Sequence, residues 1–148
     1  MATTVTAADL TVTITEGISL NGVQYGNTIN KTFSSQGEVI QRIMNIDTTF
    51  VDIFHTAAAD ARGTVVAADW AYFRITNLDD TNYMRLRLYN GTDSQFFKLS
   101  AGQSFLMMNP SIDAVCESTG FVAFANITQI AAQAPAEACD VEVVMVTA

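Results

Sequence analysis

Across residues 70–108 apolar and polar side chains alternate in four runs, WAYFRIT, YMRLRLY, SQFFKLS and SFLMM, separated by the polar stretches 77–82, 90–93 and 101–103. A period of two puts every second side chain on the same side of an extended strand, so the pattern predicts a meander of antiparallel strands. Phe73 and Ile75, then Met84, Leu86 and Leu88, then Phe97 and Leu99 fall inward. Trp70, Tyr72 and Arg74 take the opposite side, as do Arg85, Arg87 and Tyr89. Asn90-Gly91 supplies a hairpin turn, because both central positions of a tight type I′ turn need positive φ. The last run, residues 105–108, is apolar on both faces, which predicts a strand either central to a sandwich or lying at a partner interface.

The same reading extends to the flanks. Leu10, Val12 and Ile14 alternate with Thr11, Thr13 and Thr15, a half-buried strand, and Asn21-Gly22 predicts a type I′ turn from which Val23 and Tyr25 return antiparallel. Residues 27–36 read as polar and irregular, anchored by Phe33. In the run 38–47, Ile40, Met44 and Ile46 share a face with Arg42, and Val39 and Ile43 take the other. A helix also accommodates Val39, Ile43 and Ile46, but a short β-branched run favours a strand. In residues 48–56, Phe50, Asp52 and Phe54 oppose Val51, Ile53 and His55, with a hairpin expected at Asp47-Thr48. Residues 57–69 are small and alanine-rich, a loop or a helical turn. Pro110 ends a strand near Asn109. Residues 111–120 read as a connection, 121–127 as a strand and 131–138 as a loop around Pro135. A final strand has Val141, Val143 and Met145 opposed to Glu142, Val144 and Val146 and closes a sheet beside the first. About ten strands and no long helix predict an all-β fold, an antiparallel sandwich or barrel of jelly-roll-like kind. It forms a single domain over residues 1–148, with residues 1–8 as an N-terminal arm.

Composition adds a bias toward assembly. The hydrophobic fraction is 49% and charged residues make up only 15%, against roughly 25% in an average soluble domain. Low charge density suits a chain that covers surface with partners. The net charge of -8, from 15 acids and 7 bases, excludes nucleic acid as the expected partner, since phosphate binding needs clustered cations. Arg74, Arg85 and Arg87 are expected as surface strand residues with Asp79 and Asp80 as acid partners. No apolar run approaches the roughly 20 residues of a membrane helix, and the opening Met1-Ala2-Thr3-Thr4 is no secretory signal. Cys116 and Cys139 fit neither a metal spacing nor a CxxC pair; both read as small buried hydrophobes, with a mutual disulfide as the lesser alternative.

Chemistry has little to work with. His55 is the one histidine, which leaves any hydrolytic triad or histidine-ligated zinc site with a single member and makes a structural role the expectation. GxSxG, Walker, HExxH and GxGxxG frames are missing. Asn77, Asp79 and Asp80, with Asp93 or Asp69, carry the oxygens a calcium ion takes, but turn formation explains the same residues. Trp70, Tyr72, Tyr83 and Tyr89 suggest a sugar-stacking face; cross-strand pairs and subunit contacts explain them better. The expectation is a protein without catalytic residues, cofactor or metal.

At YFRITNLDDTNY (residues 72–83), KLSAGQSFL (98–106) and TVTITEGISLNGVQYG (11–26) the chain resembles small structural proteins of tailed bacteriophages, particularly those of marine and cyanobacterial hosts. The resemblance implies a β-sandwich or barrel that serves in the virion, assembled in the host cytoplasm. Its expected role is a capsid decoration or cement subunit that binds the major capsid protein and copies of itself as a trimer. A tail-associated adaptor or fibre-attachment protein of the same virion is the alternative, and a carbohydrate-binding β-sandwich module a further one. The expected partner interface combines Phe105, Met107 and Met108 of the doubly apolar run with Tyr89, Arg85 and Arg87.

Overall fold

The alternation of threonine with aliphatic residues in Ala8–Thr15 (β1) is answered by Thr28–Gln36 (β4), which pairs with it antiparallel. Thr11, Thr13 and Thr15 stand opposite Thr32, Asn30 and Thr28, and the Thr13 hydroxyl donates to Asn30 Oδ1 at 2.8 Å. The other side of this ribbon carries Leu10 opposite Phe33, Val12 opposite Lys31 and Ile14 opposite Ile29. Ile18–Leu20 (β2) and Val23–Tyr25 (β3) continue it as a tip, closed by Asn21 and Gly22 at φ 51° and 81°, the turn expected of Asn-Gly. Residues 27–36 are thus a strand and not irregular: Lys31 in the middle of the apolar side and polar residues on the other erase the usual alternation.

The ribbon and its tip meet where the Glu16 N–H donates to the Asn27 carbonyl at 2.8 Å. Gly26 sits beside that bond at φ 127°, and a Cβ there would lie 2.0 Å from the Glu16 carbonyl oxygen. Gly26→Ala is therefore expected to unpair the tip. Hydrogen exchange should show amides of residues 18–25 losing protection while the melting temperature of the rest stays unchanged; retained protection would mean the join relaxes around the methyl group.

The structure, a computed structural model, describes residues 6–55, 70–108 and 127–147. The expectations for residues 57–69, 109–120 and 121–126, for Cys116 and for the Trp70 side chain lie outside the described residues. Beyond the ribbon come Glu38–Ile46 (β5), Val51–His55 (β6), Trp70–Asn77 (β7), Met84–Tyr89 (β8), Ser94–Leu99 (β9), Ser104–Met107 (β10), Gln129–Gln133 (β11) and Cys139–Thr147 (β12). They form two antiparallel sheets, ordered β10-β7-β12-β5 and β6-β11-β8-β9. Counting β5 as the first strand of the sandwich, these orders read 6-3-8-1 and 2-7-4-5, the topology of a jelly roll. Among the described residues there are twelve strands, β1 to β12, rather than about ten.

Period two built the faces of the sandwich. Phe73, Ile75, Met84, Leu86, Leu88 and Ile130 are wholly buried, each such side chain contributing roughly 1.5–3 kcal/mol. Phe54 meets Phe73 edge-on across the sheets at 6.3 Å, and Phe97 meets Phe105 at 4.7 Å. Arg42 shares the inward side of β5 with Ile40 and Met44 and donates to the Ile53 carbonyl on the facing sheet. Four expectations are corrected. Asp47-Thr48 is not a hairpin, because β5 and β6 belong to different sheets. The final strand lies between β5 and β7, not beside β1. Among the described residues β10 is an edge strand and not a central one. In β6 a bulge opposite Ile130 and Ala131 turns Ile53 and Phe54 both inward, so Phe50, Asp52 and Phe54 do not share a face.

A fifth correction concerns residues 131–138. Gln129–Gln133 is an inner strand, between β6 and β8, and the loop is confined to residues 134–138. Ala131 and Ala132 of this strand are fully buried, and side chains that small fill tightly covered positions without any hydrophobic bulk to announce a strand.

The connections after β5, β7, β9 and β11 gather at one end of the sandwich. Ala134 N–H donates to the Asp47 carbonyl, Asn77 N–H to Gln103 and Leu78 N–H to Asp140, at 2.8–2.9 Å. The ribbon leaves from the opposite end, where Gly37 N–H donates to the Thr147 carbonyl at 3.0 Å.

Candidate functional site

Three surfaces depart from what a solitary domain needs. The first is the ribbon. Ile18, Leu20, Val23 and Tyr25 of the tip and Ile29 below it are between 51% and 59% exposed. A two-stranded ribbon alone is at best marginally stable in water, and an exposed apolar side of this kind is a candidate contact surface. At the ribbon's base a cleft of about 130 Å³ is lined by Ala8, Asp9, Leu10, Gln36, Val39 and Val146. Gln36 is buried there with its Nε2 donating to the Ser34 carbonyl at 2.7 Å and its Oε1 unpaired. Val39 and Ile43 carry the apolar strip onto the outer side of β5 at 67% and 69% exposure.

The second surface is the outer side of the sheet β6-β11-β8-β9. Because Leu86 and Leu88 point inward, Arg85, Arg87 and Tyr89 must point out, and the register sets Lys98 opposite Arg85 and Phe96 opposite Arg87. The Arg87 guanidinium lies 4.6 Å from the Phe50 ring and 5.3 Å from the Tyr89 ring. Arg85 lies 5.1 Å from Phe96 and 5.8 Å from Phe50, and Lys98 lies 4.4 Å from Tyr83. The neighbouring strand supplies amide acceptors: Arg87 donates to Gln129 Oε1 at 2.6 Å and Arg85 to Gln133 Oε1 at 3.3 Å. Gln129 in turn donates to Asp52 at 2.5 Å.

The third is the gathered loop end. Asp79 Oδ1 accepts the N–H groups of Asn82 and Thr81 at 2.6 and 2.8 Å. Those backbone bonds, Asn82 first, hold its carboxyl below the usual carboxylate range. Burial pushes the Cys139 thiol up, and the carboxylates of Asp79, Asp140 and Glu137 add to it. Exposed Asp47, Asp80, Glu137 and Asp140 complete an acidic end.

The residues expected at a partner interface divide. Tyr89, Arg85 and Arg87 come together outside. Phe105 and Met107 point inward, Met107 at 7% exposure within the core, and Met108 is half-buried just beyond β10. Asp79 and Asp80 are not partners of the strand arginines. Arg74 pairs with Glu142 at 2.6 Å, the one ion pair among the described residues, while Arg85 and Arg87 use glutamines. The pairing with Arg74 lowers the Glu142 carboxyl, whereas burial raises the Tyr72 hydroxyl against the pull of Arg74. Tyr72 belongs to the other sheet from Tyr89, and Tyr83 only precedes β8, so the tyrosines do not make one sugar-stacking face.

No protein-family model, curated protein or solved structure matches this chain.

Its chemistry has therefore to be read from the surfaces themselves. His55 is exposed at the end of β6, opposite Gln129. The Asn77, Asp79 and Asp80 oxygens are engaged by the turn: Asn77 Oδ1 accepts the Asp79 N–H, Asp79 accepts as above and Asp80 accepts the Thr81 hydroxyl. Among the described residues no three histidine, cysteine or acidic side chains gather as metal ligands, and no helix is long and apolar enough to cross a membrane. Phe50 and Phe96 are the surface residues that sequence reasoning missed. Phe96 was open to inference, since an inward Phe97 forces its neighbour outward.

Proposed function

We propose that this chain is a structural protein of a bacteriophage virion, a capsid decoration or cement subunit that attaches to the shell of major capsid protein through its β1–β4 ribbon. The observation that carries the reading is the ribbon's unfinished apolar side, Leu10, Val12, Ile14, Ile29 and Phe33, continued by the exposed tip Ile18, Leu20, Val23 and Tyr25. A projecting strand pair can add to a partner's sheet edge or lie in its groove, gaining main-chain bonds and apolar contact together. The jelly roll is a scaffold found in viral capsid and lectin domains alike, so it supports the reading without choosing it. The resemblance to phage structural proteins favours the capsid reading, and the net charge of -8 suits a body that stays in solution after its ribbon is engaged.

The test is attachment. Leu20→Asp with Val23→Asp should leave the melting temperature of the purified protein unchanged, because both positions are exposed. The variant should nonetheless fall at least about tenfold in the amount that co-sediments with particles stripped of the protein, the loss expected when contacts of an interface centre are removed. Undiminished attachment would defeat the ribbon as the anchor. Mass spectrometry of intact particles separates head from tail: copies in the hundreds place the subunit on the shell, and a few dozen or fewer place it at a tail or vertex.

A further inference from the structure

Arg85, Arg87 and Lys98 concentrate positive charge on one face of a chain with 15 acids and 7 bases. None of the three pairs with a carboxylate among the described residues. Arg85 and Arg87 each give one N–H to a glutamine and rest over aromatic rings. With only one N–H of each used on a glutamine, the guanidinium groups keep further donors, and a guanidinium is suited to take a carboxylate in two parallel bonds. Around these cations Phe96 is 50% exposed and Phe50 37%. Arginine and aromatic side chains together are the composition of interface centres.

The complementary surface is on the same chain. Asp47, Asp80 and Glu137 are exposed on the loops after β5, β7 and β11 and Asp140 at the start of β12, and backbone bonds between these segments hold them at one end of the sandwich. We infer that the Arg85, Arg87, Phe50 and Phe96 face docks the acidic loop end of a second copy of this chain. Face and end are different surfaces, so the contact is head to tail. Such a contact is self-limiting only when it closes a ring, and a ring accounts for a trimer. This inference rests on the decoration reading above, in which copies of the chain bind one another, and it names where the copies meet.

Sedimentation velocity on the full chain, over a concentration series in low and high salt, tests it. The wild type should form a closed oligomer that dissociates at least about tenfold more readily in high salt, as screening of exposed charges requires. Arg85→Glu with Arg87→Glu should be monomeric, and so should Asp80→Arg with Glu137→Arg, each with the wild-type circular dichroism spectrum. Combining all four substitutions in one chain should restore the oligomer, because the charges again oppose one another; a merely unfolded or aggregated variant would not be rescued. A wild type that stays monomeric, or variants that associate as it does, would overturn the inference. Particle attachment reads out separately. A monomer that still decorates shells defeats the head-to-tail contact alone, and an oligomer of the expected charge dependence that never binds particles defeats the decoration reading alone.

Discussion

Met107→Asp is expected to unfold the protein. Met107 stands opposite Phe73 in the β10–β7 pair and is 7% exposed within the core. The substitution removes a long apolar side chain from the interior and puts a carboxylate among the apolar side chains of the core. Truncation of a buried methionine costs about 2–5 kcal/mol, and an unpaired buried charge costs several kcal/mol more, against a total stability of about 5–15 kcal/mol for a domain. The variant should lose its cooperative thermal transition and be recovered mostly as insoluble protein. Met108→Asp, half-buried and beyond the strand, should fold and melt within a few degrees of the wild type. Normal melting of Met107→Asp would mean the register of β10 is shifted by one, which exchanges inward and outward side chains.

Asn77→Ala is expected to lower stability by about 3 kcal/mol, a fall in melting temperature of roughly 6–12 °C for a domain of this size. Asn77 is wholly buried at the end of β7. Its amide nitrogen donates to the Asn82 and Leu99 carbonyls at 2.9 and 3.3 Å, and its amide oxygen accepts the Asp79 N–H at 3.1 Å. One side chain thus ties the β7–β8 turn to the end of β9, and alanine leaves all three backbone groups short of a partner. Asn77→Asp should be worse at neutral pH. It keeps the acceptor but loses both donors and buries a charge, which raises the folded-state pKa above the unfolded value. Its stability should therefore recover as pH falls and the carboxyl takes up a proton. Thermal melts of both variants from neutral to mildly acidic pH check this; a stability of Asn77→Asp that falls with acid in parallel with Asn77→Ala would show that the buried amide is not the tie.

The strands that could be read from the sequence are those with water on one side and core on the other. β8 shows it most plainly: Met84, Leu86 and Leu88 inside, Arg85, Arg87 and Tyr89 outside. β4 escaped because Lys31 lies among its apolar positions and no core lies beneath the ribbon. β11 escaped because Ala131 and Ala132 are buried by fit rather than by bulk. The pairing of β12 with β5 and β7 could not be read at all, since an alternating strand carries no mark of which distant strand it will join. At the basic face, alternation was enough to bring Arg85, Arg87 and Tyr89 together. The rings of Phe50 and Phe96 complete it from a loop and a neighbouring strand: alternation turns Phe96 outward, but only the fold sets both rings beside the arginines. The apolar run at Phe105 to Met108 shows the opposite error: hydrophobicity on both sides suggested a partner, yet Phe105 and Met107 are used inside the sandwich.

The position of β12 also governs how the protein is made. β12 pairs along its whole length with β5, from Glu38 opposite Thr147 to Ile46 opposite Cys139, and separates β5 from β7. While residues 139–147 are still inside the ribosome, β5 has no strand beside it and the inward sides of β7 and β10 have no complete sheet to close against. The nascent chain therefore holds its apolar strands open until residues 139–147 have emerged, when long-range pairing becomes possible. The β1–β4 ribbon, made of local contacts, emerges ahead of the sandwich strands. The exposed apolar side of the ribbon is thus on display before the sandwich that carries it is finished, and chains caught at that stage are open to aggregation.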